Sequence, residues 1–285
     1  MFALKVNDRN SKESQALAYY NMMDGVGLQY FRKAEEVPPD AVPAGSVEWF
    51  LEVTRWKVIP DYYPEFLRPY LGRKIWWTDQ WPMHGGIFVK PADKYKRFTG
   101  KITTGGYHGK KKGPYWCSEV VSFTNEWRFY VANGKVLYIG WYCGLNDDAM
   151  PPDLKVDWPQ DYCGAVDFGT TPEGKLLLIE ANEPFSCGWY GHISEGRIYG
   201  KWLEIGYEYM KEKMKKGTDG TAGAWALEKG EDGRVYISAD DLGFWIEEAL
   251  NYTDGAGASL SDDAKSKLLK HLYERIKEIA EKAVL

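Results

Sequence analysis

The sequence predicts an α+β fold, on three observations. Strand-like runs closed by hairpin turns fill residues 81–192, a mixed helix-and-strand stretch precedes them, and helical periodicity follows. We therefore divide the chain into an α/β lead-in over 1–80, a core over 81–215, and a linker with a helical extension over 216–285.

In the lead-in, "MFALKV" suits a short strand. "NSKESQALAYYNMMDG" suits a helix, with Asn10 and Ser11 as cap candidates and Gly25 as its stop. "GSVEWFLEVT" fits a strand or a short helix equally. "PDYYPEFLRPYLG" carries Pro60, Pro64 and Pro69 and reads as broken helix and turn.

In the core, "GIFVKP" and "SEVVSF" read as strands, and "TTGGYHGKKKG" as a Gly- and Lys-rich loop. It lacks the P-loop pattern, so a phosphate cradle and a mobile basic loop both fit it. "EWRFYVANGKVLYIGWY" is the clearest hairpin, turning at Asn133-Gly134. "CGAVDFGTTPEGKLLLIEAN" is a second, turning at Glu173-Gly174. "RIYGKWLEIGYEYMKEKMK" and the C-terminal residues 261–284 have helical spacing. The apolar stripe of the latter suits packing on the main domain, self-association into a homodimer, or a partner.

A net charge of −5 gives no basic field for nucleic acid. The four cysteines have no C-x-x-C spacing and read as reduced thiols. No apolar leader or run of about 18 apolar residues occurs, so the expected compartment is the cytoplasm, without membrane attachment. The 13 Trp and 20 Tyr suit either a large-residue core or stacking surfaces.

A two-residue turn at Glu173-Gly174 sets Asp167 opposite Glu180, where two like charges repel. Asn182, two residues on, shares the face. Two carboxylates and an amide oxygen suit Mg²⁺; a solvated polar face is the alternative. On the first hairpin, Glu126, Arg128 and Tyr130 alternate with Trp127, Phe129 and Val131, the natural core residues. Arg128 fits a phosphate or carboxylate clamp, or an ordinary exposed arginine.

Taken in order, "FVKPADKYKRFTG", "EWRFYVANGKV" and "AVDFGTTPEGKLLLIEANEPFSCGWYG" resemble the ATP-grasp superfamily. The nearest likeness is its phage and bacterial clade, marked by one arginine and two lysines. The resemblance covers about residues 85–195. It implies two α+β subdomains clasping ATP, with an α/β region ahead of them. It assigns phosphate contacts to Lys90, a place near the phosphates or substrate to Lys96, backbone contacts with adenine to Glu119 and Val121, ribose or a nearby cation to Glu126, the transferred phosphate or acyl-phosphate to Arg128, and Mg²⁺ to Asp167, Glu180 and Asn182. The implied reaction joins a small-molecule or peptide carboxylate to an amine or other nucleophile through an acyl-phosphate, releasing ADP. His84, His108 and His192 read as loop residues. Two rivals remain: an ATP- and Mg²⁺-binding regulatory or assembly module without activity, and a glycoside hydrolase using Asp167 and Glu180, which leaves Lys90 and Arg128 unexplained.

Overall fold

Phe2, Ala3 and Leu4 are fully buried, and they begin the chain as the middle strand of a small parallel sheet. The computed structural model describes residues 1–105, 112–185, 187–216, 228–229 and 235–236. In the lead-in, β1 (Phe2–Lys5) pairs with β2 (Leu28–Phe31) on one side and β3 (Val42–Pro43) on the other. Between β1 and β2, helix α1 (Lys12–Asp24) is capped by the Ser11 side chain, which accepts from the Ser14 N–H. It stops at Gly25, whose φ of 64° is costly for other residues. The ambiguous "GSVEWFLEVT" is helix α2 (Val47–Thr54), capped by Ser46. Its Trp49 is fully buried and donates its indole N–H to the Ala3 carbonyl at 3.0 Å, tying α2 to β1.

Two four-stranded antiparallel sheets follow. The first contains β4 (Ile75–Gln80), β5 (Gly85–Pro91), β6 (Lys101–Thr104) and β7 (Lys112–Glu119), in the order β4-β7-β5-β6. The second contains β8 (Asn125–Ala132), β9 (Lys135–Gly144), β10 (Gly164–Thr170) and β11 (Leu176–Asn182), in the order β11-β10-β8-β9. "SEVVSF" is not a strand of its own. Its first two residues end β7, and residues 120–123 are coil passing from one sheet to the other. Their strand-like composition has no ladder partner to satisfy. The Asn133-Gly134 turn stands as expected, with φ of 50° and 66°.

The second hairpin differs in detail. Its strands end at Thr170 and resume at Leu176, leaving a five-residue loop in place of the two-residue turn. An odd loop alone would shift the pairing by one and turn Glu180 to the opposite face. A β-bulge compensates: Phe168 faces Leu178, but Asp167 faces Glu180, leaving Ile179 as the extra residue.

Helix α3 (Gly196–Lys216) packs across α1 and β8. Trp127, Phe129 and Val131 are core residues as expected. Tyr130, assigned by alternation to the polar face, is fully buried beneath Trp189, Tyr199 and Trp202. Both faces of this sheet are therefore covered, which alternation along one strand cannot reveal.

All four cysteines are free; Cys143 alone is exposed. Burial pushes the thiols of Cys117, Cys163 and Cys187 up to about 12. At pH 8 a disulfide reagent is expected to label one thiol in the folded chain and four in denaturant. Rapid labelling of a second thiol in the folded chain would contradict this packing.

The chain divides into units Met1–Gly220 and Thr221–Leu285. In the second, Glu228–Lys229 pairs antiparallel with Val235–Tyr236. The expected linker, the C-terminal helix with its homodimer face, the centre of the basic loop and His108 lie outside the described residues. Among the described residues no helix is long and apolar enough to cross a membrane.

Candidate functional site

Lys90 sits near the end of β5, 4% exposed, and its Nζ donates to Glu180 Oε2 at 2.9 Å. Its ammonium also lies 3.5 Å from the centre of the Tyr62 ring and 4.6 Å from that of Tyr63. Such partners offset the desolvation cost of burying an ammonium. Asn182 Nδ2 donates to Glu180 Oε1 at 2.9 Å, so the amide oxygen is turned away from that carboxylate. Burial raises the Glu180 carboxyl, but Lys90 and Asn182 outweigh it and hold the group below its ordinary value.

Arg128, on β8, meets Asp167 on the neighbouring β10. Nε donates to Oδ1 at 2.7 Å and Nη2 to Oδ2 at 2.6 Å, a bidentate fork on a carboxylate only 1% exposed. Burial works against the guanidinium charge, yet Asp167 holds Arg128 well above its ordinary value. Tyr142 and Tyr190 flank the guanidinium at 5.7 and 5.2 Å. Gly140 pairs with Arg128 across the ladder, and a Cβ there would come within 2.7 Å of the Tyr190 Cβ. Glycine therefore makes the room that Tyr190 occupies.

The carboxylates of adjacent strands do face one another, as the hairpin predicts, and cations from two further strands offset their repulsion. Lys90, Arg128, Glu180 and Asn182 line a cleft of about 500 Å³, together with Tyr62 and Phe185. Lys96 also lines it. Its side chain is 57% exposed, and Nζ lies 3.4 Å from Glu48 Oε2. Asp167 stands behind Arg128.

Residues 70–197 match the model of an ATP-grasp domain, family 2 of the clade named for its one arginine and two lysines. The chain carries an ATP-grasp domain. No curated protein matches the chain. The match contains the motif-bearing segment, and an ATP-grasp domain is an ATP-binding, ligase-type fold.

Around the ATP-grasp cleft, the remaining expected residues divide. Glu119 ends β7 and Val121 lies in the coil between the sheets. The backbone of Glu119 is already engaged: its N–H donates to the Lys74 carbonyl at 3.1 Å and its carbonyl accepts from Ser118 Oγ at 3.0 Å. Its side chain accepts from the Lys74 N–H at 2.9 Å. Glu126 is half-buried and hydrogen-bonds Tyr142. His84 is an exposed loop residue, and His192 caps a short turn through Nδ1.

Among the described residues no group of three His, Cys, Asp or Glu could hold a metal ion. Asp167, Glu180 and Asn182 offer two carboxylates and an amide oxygen, a hard set that suits Mg²⁺ completing its shell from phosphate and water. The donor types suit the ion, but here Lys90 and Asn182 hold the Glu180 carboxylate and Arg128 holds that of Asp167, so their oxygens are engaged by cations and an amide.

The tyrosines are not legible in the sequence as site residues. Tyr62 and Tyr63 precede the sheets, in a segment whose only sequence signal is adjacent aromatics among prolines. Tyr142 is the extra residue of a second bulge, between Trp141, paired with Trp127, and Cys143, paired with Glu126. Counting back from Asn133-Gly134 cannot locate it.

Proposed function

We propose that the chain is an ADP-forming ligase that joins a carboxylate to an amine or similar nucleophile. Lys90, Lys96 and Arg128 bind phosphate oxygens, and Asp167, Glu180 and Asn182 hold Mg²⁺. Glu119 and Val121 bound the adenine, and Glu126 lies toward the ribose or a neighbouring cation. The substrate carboxylate attacks the γ-phosphorus and ADP leaves. The nucleophile then attacks the acyl carbon, the acyl C–O bond breaks, phosphate leaves with the bridging oxygen, and the amine loses a proton to solvent. Bound Mg²⁺ would supply charge neutralisation on the phosphates. The side chains supply orientation and charge, the main requirements of phosphoryl transfer.

The observation that carries this reading is the pairing of Lys90 with Glu180 and of Arg128 with Asp167 beside one cleft. Nucleotide carrying a divalent ion exchanges both pairs like for like: phosphate meets the cations and the ion meets the carboxylates. Neither component alone achieves this, since each would meet a like charge. Calorimetry is expected to show ATP binding strengthened at least about tenfold by Mg²⁺. ADP should then form in the presence of a pool of carboxylates and amines. Binding without ADP formation would favour the inactive module, and no binding in either condition would end the reading.

A further inference from the structure

β11 ends its sheet, so one edge of its backbone has no strand beside it. The segment before β4 covers that edge instead. The Ala181 N–H donates to the Tyr62 carbonyl at 2.9 Å. Arg73 Nη1 donates to the Leu178 carbonyl at 2.5 Å and to the Leu71 carbonyl at 3.2 Å, while Nη2 donates to the Ile179 carbonyl at 3.1 Å. In a regular strand successive carbonyls point to opposite edges. Here two consecutive ones turn to a single guanidinium, and they flank the step at which the register slips by one residue. Arg73 also lies beside Tyr63, whose ring backs the Lys90 ammonium.

We propose that Arg73 is the positioning residue for Glu180. Its planar fork holds the bulge at Ile179, so that Glu180 stands opposite Asp167 and within reach of Lys90 and Asn182. Without the bulge, the register that pairs Phe168 with Leu178 would continue and bring Ile179 to that place. The inference rests on Glu180 being an ion-binding residue only for its effect on nucleotide; its effect on the Lys90–Glu180 pair is independent of that reading.

Two readouts test it on the full chain. In urea unfolding, Arg73→Met and Glu180→Gln are expected to be non-additive, by on the order of tenfold in the unfolding constant, because removing Arg73 already forfeits the placement of Glu180. In calorimetry with ATP, Arg73→Met is expected to lose most of the Mg²⁺-dependent gain while Mg²⁺-free binding stays within about twofold. Arg73→Lys keeps the charge without the fork and should fall between, and it carries the same cycle if Arg73→Met does not fold. Additive stability losses overturn the proposal whatever the nucleotide does, as does unfolding of both variants, which would mark Arg73 as purely structural. Non-additivity in a chain that binds no ATP would sustain Arg73's role and sink the ligase reading alone.

Discussion

Arg128→Met is expected to cost about 3–5 kcal/mol of stability, because it strands the Asp167 carboxylate in a site 1% open to water. The fork that satisfies both oxygens comes from one residue, so no second donor among the described ion pairs takes over. Replacing both partners should behave differently. Arg128→Met/Asp167→Leu removes the buried charge together with its counterion, and such exchanges are often neutral or stabilising. The double variant is thus expected to recover most of the loss in urea unfolding. Neither variant is expected to bind ATP with Mg²⁺, since each lacks a proposed phosphate contact. The comparison separates holding the fold from holding the ligand. Equal instability of the single and double variants would show that Arg128 contributes packing, not charge compensation.

The sequence makes legible what is local. Ser11 and Gly25 bracket α1 because capping and left-handed termination act within a few residues. Asn133-Gly134 joins β8 to β9 for the same reason, and its register holds for the two nearest pairs before bulges shift it. The opposition of Asp167 and Glu180 follows in the sequence from a two-residue turn, whereas the chain uses a five-residue loop and a bulge whose shifts cancel. Strand composition misleads at Val120–Phe123, where an apolar run serves as the passage between sheets. The partners of the charges are not legible, because they depend on tertiary placement: Lys90 and Glu180 lie ninety positions apart in the chain. The burial of Tyr130 is hidden for a related reason, since its cover comes from α3 and from the loop after β11.

That loop is the place where packing and chemistry meet most directly, and Trp189→Ala is expected to show it. Trp189 is 1% exposed, with its ring against Tyr130, Tyr138 and Tyr199. Its backbone N–H donates to Glu13 Oε1 on α1 at 2.9 Å, and its indole donates to the His192 carbonyl at 3.1 Å. The next residue, Tyr190, donates its N–H to the Tyr130 hydroxyl at 3.0 Å and flanks Arg128. Truncating a buried tryptophan costs about 3–5 kcal/mol. Because the loop is held on both sides of Tyr190, the loss should reach the guanidinium as well. ATP affinity with Mg²⁺ is expected to fall several-fold even at temperatures where the variant is fully folded, in line with an aromatic contact worth about 0.5–2 kcal/mol to a cation. Trp189→Phe keeps most of the ring contact but loses the indole donor. It should cost about 1–2 kcal/mol, a donor and part of a ring, and leave ATP affinity nearly unchanged. Melting curves and calorimetry on the two variants decide the matter. A Trp189→Ala chain that is destabilised yet holds ATP as tightly as the parent would show that Tyr190 keeps its place without the tryptophan, and that loop packing and ligand binding are separate properties of this protein.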